Sequence, residues 1–208
     1  GTLMTGAGYL VIDPALPQDR IDFMLKEVRA NATVCNGEYS QWPLFANFQK
    51  IIIDSLDDAV FQRRTIETDA LAYIMFTSGT TGRPKAVPIN HLNTINLIDA
   101  LMNGVYSKFD SNSKLAVISS FNFDAAIQHT FMCLASGFEI NIVPEAARKD
   151  GKLLVDFLVD YEIDLSDGIP THLSSMILRV PKAPEGFKVK HFIIGGEVNM
   201  WTEHVPDE

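Results

Sequence analysis

The spacing of apolar residues predicts strands and helices that alternate along most of the chain. Residues 71–76 and 115–118 form continuous apolar runs, typical of strands that are buried on both faces of a sheet. Between such runs, apolar side chains recur three and four residues apart, which indicates helices with one buried face. The alternation is regular from about residue 110 onward. The predicted fold class is therefore α/β, with a mostly parallel sheet and flanking helices.

Turn and cap residues set the expected bounds of these elements. Strands are predicted at 9–12, 50–53, 71–76, 85–90, 115–118, 138–143, 163–165 and 189–194. Helices are predicted to begin near Pro17, Asn90, Asp124, Asp150 and Pro170. Pro88 cannot donate a ladder hydrogen bond, which places its strand at a sheet edge. The helix after Asn90 is expected to bury Leu92, Ile95, Ile98, Leu101 and Met102.

The ends of three predicted strands have residues suited to binding a ligand. They are the loop at 77–85, Asp124, and the segment 195–197. Because ligands of parallel sheets bind beyond the carboxyl ends of the strands, we expect these three segments to converge on one cleft.

The composition argues against several classes of protein. The 208 residues include 17 Lys and Arg against 26 Asp and Glu, a formal charge of −9, which disfavours nucleic-acid and anionic-membrane partners. No apolar run approaches the roughly 20 residues that span a bilayer. Cys35 and Cys133 lie far apart, which indicates buried free thiols and a reducing, cytoplasmic location. The five histidines lack metal-ligand spacing, so no metal site is predicted.

The loop at 77–85 has the chemistry of a phosphate-binding loop. Glycines allow close approach of the backbone, hydroxyls donate hydrogen bonds, and a lysine adds a mobile positive charge. Its spacing differs from that of a Walker A loop, because a proline precedes the lysine and a strand follows. A polar turn between two strands is the alternative explanation. The loop consists of Thr77, Ser78, Gly79, Thr80, Thr81, Gly82, Arg83, Pro84 and Lys85.

The sequence of residues 73–85 resembles the signature loop of the adenylate-forming superfamily, which includes acyl-CoA synthetases, luciferases and the adenylation domains of nonribosomal peptide synthetases. The resemblance implies that Thr77, Ser78, Gly79, Thr80, Thr81, Gly82 and Lys85 bind the phosphates of ATP. It also implies catalytic roles for Lys85 and Thr77. Ala86 departs from the glycine that is usual in the family, which would matter if that position needed a positive φ.

Two further segments resemble peptide-synthetase adenylation domains in particular. Residues 8–21 resemble an early structural motif of these domains. Phe123, Asp124 and the two alanines after them resemble a Phe-Asp-Ala-Ser element, in which the aspartate holds the α-amino group of the substrate. Acyl-CoA synthetases lack that aspartate, so Asp124 favours an amino-acid substrate. The residues alone leave open a helix N-cap for Asp124 and a core position for Phe123.

The same resemblance implies the remaining site residues. The substrate pocket would include Phe123, Asp124, Ala125, Gln128, Asp167 and Ile193. Gly195, Gly196 and Glu197 would lie on the adenine side of the nucleotide. For Asp167 a polar loop position is the simpler explanation, and for the glycine pair a tight turn.

By this resemblance, the parent protein joins a carboxylate to ATP and passes the acyl group to phosphopantetheine on a peptidyl carrier domain, with Mg²⁺ bridging phosphate oxygens. Residues 1–208 would be one incomplete domain, the central part of the N-terminal core without the C-terminal lid, and would be inactive in isolation. An acyl-CoA or aryl-acid ligase and a non-catalytic nucleotide-binding module remain as alternatives.

Overall fold

The chain divides into two compact units, Gly1–Ile95 and Asn96–Glu208. The computed structural model describes residues 1–56, 64–77 and 84–196. Its strands are β1 Tyr9–Leu10, β2 Ala32–Cys35, β3 Gln49–Ile52, β4 Leu71–Thr77, β5 Lys85–Asn90, β6 Lys114–Val117, β7 Glu139–Ile142, β8 Leu165–Gly168 and β9 His191–Ile194. Its α-helices are α1 Gln18–Glu27, α2 His91–Met102, α3 Asp124–Ser136, α4 Glu145–Lys149, α5 Gly151–Asp160 and α6 Pro170–Arg179. Short 3₁₀ helices occupy Thr2–Thr5, Tyr39–Gln41, Pro43–Phe45, Ile53–Ser55 and Val105–Lys108.

A three-stranded mixed sheet in the first unit contains the strands on either side of the loop at 77–85. Its order is β1-β4-β5, with β1 parallel and β5 antiparallel to β4. Among the described strands β5 lies at the edge, as Pro88 predicts. The expectation that β4 is buried on both faces is wrong for most of its length, since only Ala72 and Tyr73 are buried. Among the described strands, β1 pairs only with Tyr73 and Ile74, so over most of its length β4 does not have the strand neighbours on both edges that a fully buried strand has.

The first unit also contains α1 and, separately in the chain, the parallel strand pair β2–β3. Ile21 and Leu25 on the apolar face of α1 pack with Phe45. The helix follows Pro17, as predicted, and its buried residues are those that the helical spacing indicates.

The predicted apolar face of the helix after Asn90 is buried only in its second half, where Ile98, Leu101 and Met102 pack against a hydrophobic core as expected. Asn90 does cap α2, because its side chain accepts a hydrogen bond from the Asn93 N–H at 2.8 Å. Leu92 and Ile95, however, are 46% and 45% exposed, while Thr94 is 5% exposed. Thr94 satisfies its hydroxyl by donating to the Asn90 carbonyl at 3.1 Å, so a polar side chain can take the inward position.

The second unit is built on a parallel sheet with the order β7-β6-β8-β9. Side chains alternate between its faces along β6, and both faces are covered. Ala116 and Ile118 belong to the core that includes residues of α4, α5 and α6. Leu115 and Val117 belong to the core that includes residues of α3. A parallel sheet covered on both faces is the predicted α/β arrangement.

Two expectations drawn from the composition can be compared with the structure. Both cysteines are free thiols; Cys133 is buried and Cys35 is partly buried. Burial raises the pKa of the Cys133 thiol to about 11, so this group is protonated at neutral pH. In the part of the chain that the structure describes, no helix is both long and apolar enough to cross a bilayer.

Candidate functional site

The hairpin of β4 and β5 presents two of the predicted phosphate ligands. Thr77 and Lys85 are paired in the ladder at the open end of the hairpin, and both are exposed. Ser78, Gly79, Thr80, Thr81 and Gly82 lie outside the described residues, so their role in phosphate binding stays a prediction. Ala86 pairs with Phe76 inside the regular ladder and does not have a positive φ. The alanine at this position therefore causes no backbone strain.

The connection from β6 to α3 presents Phe123 and Asp124. The alternative role of Asp124 as a helix N-cap is wrong by one residue. Phe123 has extended backbone angles, so the chain turns helical at Asp124, which is the first residue of α3. Phe123 is 64% exposed, which contradicts the alternative of an ordinary core position.

The Asp124 carboxylate is available to a ligand. The side chain is exposed, and one oxygen accepts a hydrogen bond from the neighbouring Ala125 N–H at 2.9 Å. Within the described part of the chain the other oxygen has no hydrogen-bond or ion-pair partner. The positive end of the α3 dipole favours negative charge in this turn. The carboxylate can therefore pair with an ammonium group.

The predicted pocket residues lie on α3, β8 and β9. Ala125 and Gln128, three residues apart on α3, are both half-buried. Asp167 and Ile193 are partners in the β8–β9 ladder and so lie side by side on one face of the sheet. That face is the one covered by α3, since Ile193 packs against the same core as Ala126. The structure thus brings these four residues to one side of the sheet.

The alternative explanation for Asp167, a polar loop position, is wrong. It lies within β8 and is 1% exposed. Its Oδ1 accepts a hydrogen bond from the Ile118 N–H, and its Oδ2 accepts one from the Ser119 N–H at 3.0 Å. Both donors lie immediately beyond the end of β6, so the carboxylate ties that end to β8.

Two residues that the sequence prediction missed extend this contact. His129 on α3 is 1% exposed, and its Nε2 lies 3.7 Å from Asp167 Oδ2. Its Nδ1 lies 2.5 Å from the hydroxyl of Tyr106, which is fully buried. Gln128 on α3 lies near the Tyr106 hydroxyl, where it acts to lower the pKa of that group. We call Asp167, His129 and Tyr106, with the two backbone N–H groups, the Asp167 network.

The protonation states of Tyr106 and His129 follow from burial. Burial raises the pKa of Tyr106, so its hydroxyl stays protonated and can donate to His129 Nδ1. Burial also lowers the pKa of His129, although the charge of Asp167 acts in the opposite direction. A neutral imidazole that accepts at Nδ1 has its proton on Nε2, which faces Asp167.

The turn after β9 needs a glycine at only one of its two glycine positions. Gly196 has a φ of +83°, a conformation that favours glycine, whereas Gly195 has no positive φ. Among the described residues, no atom lies within 4 Å of the place that a Cβ on Gly195 would occupy. Gly195 donates its N–H to the Gly168 carbonyl at 3.2 Å, which holds the turn against the end of β8. Glu197 lies outside the described residues.

Two of the three predicted segments therefore end strands of the same parallel sheet. The connection with Phe123 and Asp124 follows β6, and Gly195 and Gly196 follow β9. Because these strands are parallel, both segments lie at the carboxyl edge of the sheet. The loop at 77–85 belongs to the first unit, and its convergence on this edge stays a prediction.

The AMP-binding enzyme family matches residues 1–200. The chain belongs to this family. It is 32% identical over 200 residues to bacitracin synthase 1 of Bacillus licheniformis, a match that covers 95% of the chain and 4% of that protein. It is also 32% identical over 200 residues to surfactin synthase subunit 1 of Bacillus subtilis (strain 168), with coverage of 95% and 6%. The chain thus spans a small part of the length of the curated relatives it matches.

Solved structures share the fold of this AMP-binding chain. The AMPPNP-bound form of the nonribosomal peptide synthetase FmoA3 has a TM-score of 0.77 at 22% identity, over 89% of the chain and 20% of that protein. CmiS6 has a TM-score of 0.72 at 21% identity, over 88% of the chain and 45% of that protein. These matches confirm the predicted fold class, and the family match confirms the resemblance to adenylate-forming enzymes.

Proposed function

We propose that the full-length protein is an amino-acid-activating ligase. The substrate carboxylate attacks the α-phosphorus of ATP, the aminoacyl-AMP bond forms, and pyrophosphate leaves with the bonding electrons. The aminoacyl group then passes to the thiol of phosphopantetheine on a peptidyl carrier domain, and AMP is released. One observation supports an amino acid over other carboxylic acids: the exposed Asp124 carboxylate in the first turn of α3, at the ligand-binding edge of the sheet.

The relatives support the same proposal. Bacitracin synthase 1 and surfactin synthase subunit 1 match the chain along 95% of its length. A structurally similar four-domain nonribosomal peptide synthetase, AB3403, is described as bound to AMP and glycine; its TM-score is 0.75 over 93% of the chain.

The phosphate side of the site is assigned to the β4–β5 hairpin. Lys85 and Thr77, at its open end, would stabilise the charge that builds on the departing pyrophosphate. Ser78, Gly79, Thr80, Thr81 and Gly82 would donate hydrogen bonds to the β- and γ-phosphates. Mg²⁺ would bind phosphate oxygens, as a hard cation does, and would offset their charge.

The substrate side is assigned to the carboxyl edge of the second-unit sheet. Asp124 would bind the substrate ammonium group, and Phe123 would lie beside the nucleotide. Ala125, Gln128, Asp167 and Ile193 would line the pocket for the substrate side chain. Gly195, Gly196 and Glu197 would lie against the adenine ring.

The domain that contains this chain and its cellular compartment are also part of the proposal. Residues 1–208 would form part of the N-terminal core of an adenylation domain. Two free cysteines, one of them buried, fit a reducing compartment such as the cytoplasm.

Exchange of labelled pyrophosphate into ATP tests this function. The full-length protein is assayed with each of the common amino acids, and with aryl and fatty acids as a separate group. We expect exchange that depends on one amino acid or a few related ones. Exchange with aryl or fatty acids alone would support an acyl-CoA or aryl-acid ligase, and no exchange with any acid would support a non-catalytic nucleotide-binding module.

A further inference from the structure

We propose that the substrate is an amino acid whose side chain carries an N–H donor, either a carboxamide or a cationic nitrogen, and that Tyr106 and His129 are positioning residues for this preference. The two residues orient the polar groups of the pocket without lining it. This inference rests on the proposed function and deepens it, because that function leaves the substrate side chain undefined.

The predicted pocket has polar side chains at two of the four positions that lie together on one side of the sheet. Ala125 and Ile193 are apolar and half-buried, so their side chains offer a ligand packing and no hydrogen bond. The polar side chains are those of Gln128, which is half-buried, and Asp167, which is 1% exposed. In this part of the pocket, a polar group at the end of a substrate side chain therefore depends on Gln128 and Asp167.

Asp167 contributes acceptors that face no positive charge. Its oxygens accept backbone hydrogen bonds from Ile118 and Ser119, and a carboxylate oxygen that accepts one such bond keeps a second lone pair. Among the described residues, the only Lys, Arg or His within ion-pair distance of Asp167 is His129, with Nε2 at 3.7 Å from Oδ2. Burial lowers the pKa of His129, so the imidazole is neutral at neutral pH. A donor or a cation from a ligand would offset the negative character of this buried site.

Tyr106 determines which way the neighbouring polar groups face. Its hydroxyl donates to His129 Nδ1 at 2.5 Å, so the imidazole proton is on Nε2, on the side of Asp167. Gln128 lies near the same hydroxyl and acts to lower its pKa. This is the effect of the amide N–H end, because a nearby N–H donor favours the phenolate form. The carbonyl oxygen of Gln128 is then left for a ligand.

The polar side chains of this part of the pocket thus present acceptors. A substrate side chain with N–H groups can donate to them. An aliphatic side chain would leave buried acceptors without a partner, which is costly. A side-chain carboxylate would place further acceptors, and a negative charge, against them. The arrangement therefore favours side-chain nitrogen over both alternatives.

Pyrophosphate exchange by the full-length protein with matched amino acids tests this preference. Glutamine and asparagine are compared with glutamate and aspartate, in which oxygen replaces the amide nitrogen, and with methionine and leucine, which are apolar and of similar size. Lysine, ornithine and arginine form the cationic arm. We expect the best substrate to carry a side-chain N–H donor and to exceed its acidic and apolar matches by about 100-fold or more in kcat/KM. A best substrate among the amides identifies a carboxamide, and one from the cationic arm identifies a cationic nitrogen.

Tyr106→Phe tests the positioning role. Without the hydroxyl, the His129 proton can move to Nδ1 and the Gln128 amide can rotate, so the acceptors lose their fixed orientation. The preference for the best substrate over its apolar match should fall about tenfold, roughly the value of one hydrogen bond. Ser166→Ala is the matched control and should keep the preference. Ser166 is 0% exposed and its hydroxyl donates to the Asp167 carbonyl at 3.0 Å, but its side chain lies on the other face of β8.

A best substrate without a side-chain N–H donor would overturn the inference and leave the proposed function intact. An equal fall in kcat/KM for the best substrate and its apolar match in Tyr106→Phe would show a purely structural role and overturn the positioning role. If Tyr106→Phe does not fold, His129→Gln is measured in its place with the same expected fall, and an unchanged preference overturns the positioning role. Absence of exchange by the wild-type protein with any amino acid would instead overturn the proposed function.

Discussion

Gly195 and Gly196 follow the last described strand, and they differ in why each is a glycine. Gly196 has a positive φ, whereas Gly195 does not, and in the part of the chain that the structure describes no atom lies within 4 Å of the place that a Cβ on Gly195 would occupy. The fold therefore requires only the second glycine. The proposed function supplies a reason for the first, since a flat adenine ring against the backbone would leave no space for a side chain.

This difference predicts opposite results for the two alanine variants. Gly195→Ala should leave the free energy of unfolding unchanged and raise the KM for ATP about tenfold, as overpacking against a bound ligand does. Gly196→Ala should lower the free energy of unfolding by about 1 kcal/mol through strain at its positive φ. Chemical denaturation and exchange kinetics measure the two effects. A Gly195→Ala protein with normal KM for ATP would contradict the assignment of this turn to the nucleotide.

His129 gives a prediction for the pH dependence of stability. Burial lowers its pKa in the folded protein, while in the unfolded chain the pKa has its ordinary value of about 6.5. Below about pH 6.5 the unfolded state therefore takes up a proton that the folded state does not, and stability falls as the pH falls through that value. When the pH is lowered from about 7.5 to about 5.5, the free energy of unfolding should fall less for His129→Gln than for the wild type, as measured by chemical denaturation. Parallel curves would contradict a neutral buried imidazole.

Single residues also show where sequence-based prediction succeeds and fails. Asp124 is recognisable because it directly precedes apolar residues at helical spacing and matches a family element. His129 and Tyr106 are 23 positions apart, and Asp167 is farther still, so no local pattern indicates their contact. The signal that was available is a histidine among the apolar positions of α3.

Among the helices, α5 has the clearest cap. Asp150 accepts hydrogen bonds from the Lys152 and Leu153 N–H groups at 2.8 and 3.1 Å. The hydrogen bond from Leu153, followed by that from Lys152, holds the pKa of the Asp150 carboxyl below its ordinary value. The cap therefore stabilises the protein when the pH lies above the ordinary pKa of the carboxyl. This stabilisation is lost as the pH falls through the lowered pKa of the folded state.

Asp150→Ala should accordingly lower the melting temperature at neutral pH, and the difference from the wild type should vanish in acid. Asp22→Ala is the matched control, because Asp22 makes only an exposed ion pair with Lys26 one turn away. Asp22→Ala should leave the melting temperature almost unchanged. A difference between Asp150→Ala and wild type that persists in strong acid would exclude the cap as its cause.

The β4–β5 hairpin gives a prediction for catalysis. Lys85 is exposed at the open end of the hairpin, so Lys85→Ala should not change stability. If the side chain stabilises the departing pyrophosphate, the variant should lose about 100- to 1,000-fold in kcat for exchange. Lys152→Ala, which removes an exposed lysine paired with Asp156, should exchange normally. Wild-type kcat in Lys85→Ala would remove this lysine from the mechanism.

Strands and helices were predictable where the pattern is local. The order of elements from residue 110 onward and the edge position of β5 follow from apolar spacing and from Pro88. Burial was less predictable, because it depends on which neighbours cover a surface. Leu92 and Ile95 fit the apolar face of α2 and are nonetheless exposed, while Thr94 is buried.

The chain as a whole combines a family-wide feature with a more specific one. The family match over residues 1–200 supports chemistry with ATP, and the exposed Asp124 carboxylate supports a substrate with an ammonium group. Sequence reasoning reached both, because each depends on a short ordered motif. It could not reach the Asp167 network, which only the parallel pairing of β6 and β8 brings together.

The most direct test compares an amino acid with its deamino analogue in wild type, Asp124→Asn and Asp19→Asn. The control, Asp19, is an acidic residue in the first turn of α1. The wild-type protein and the control should strongly prefer the amino acid in kcat/KM for pyrophosphate exchange. Asp124→Asn should reduce that preference by roughly 10- to 100-fold, the expected loss of a hydrogen bond between charged groups. An undiminished preference in Asp124→Asn, or a wild-type preference for the deamino acid, would contradict the account.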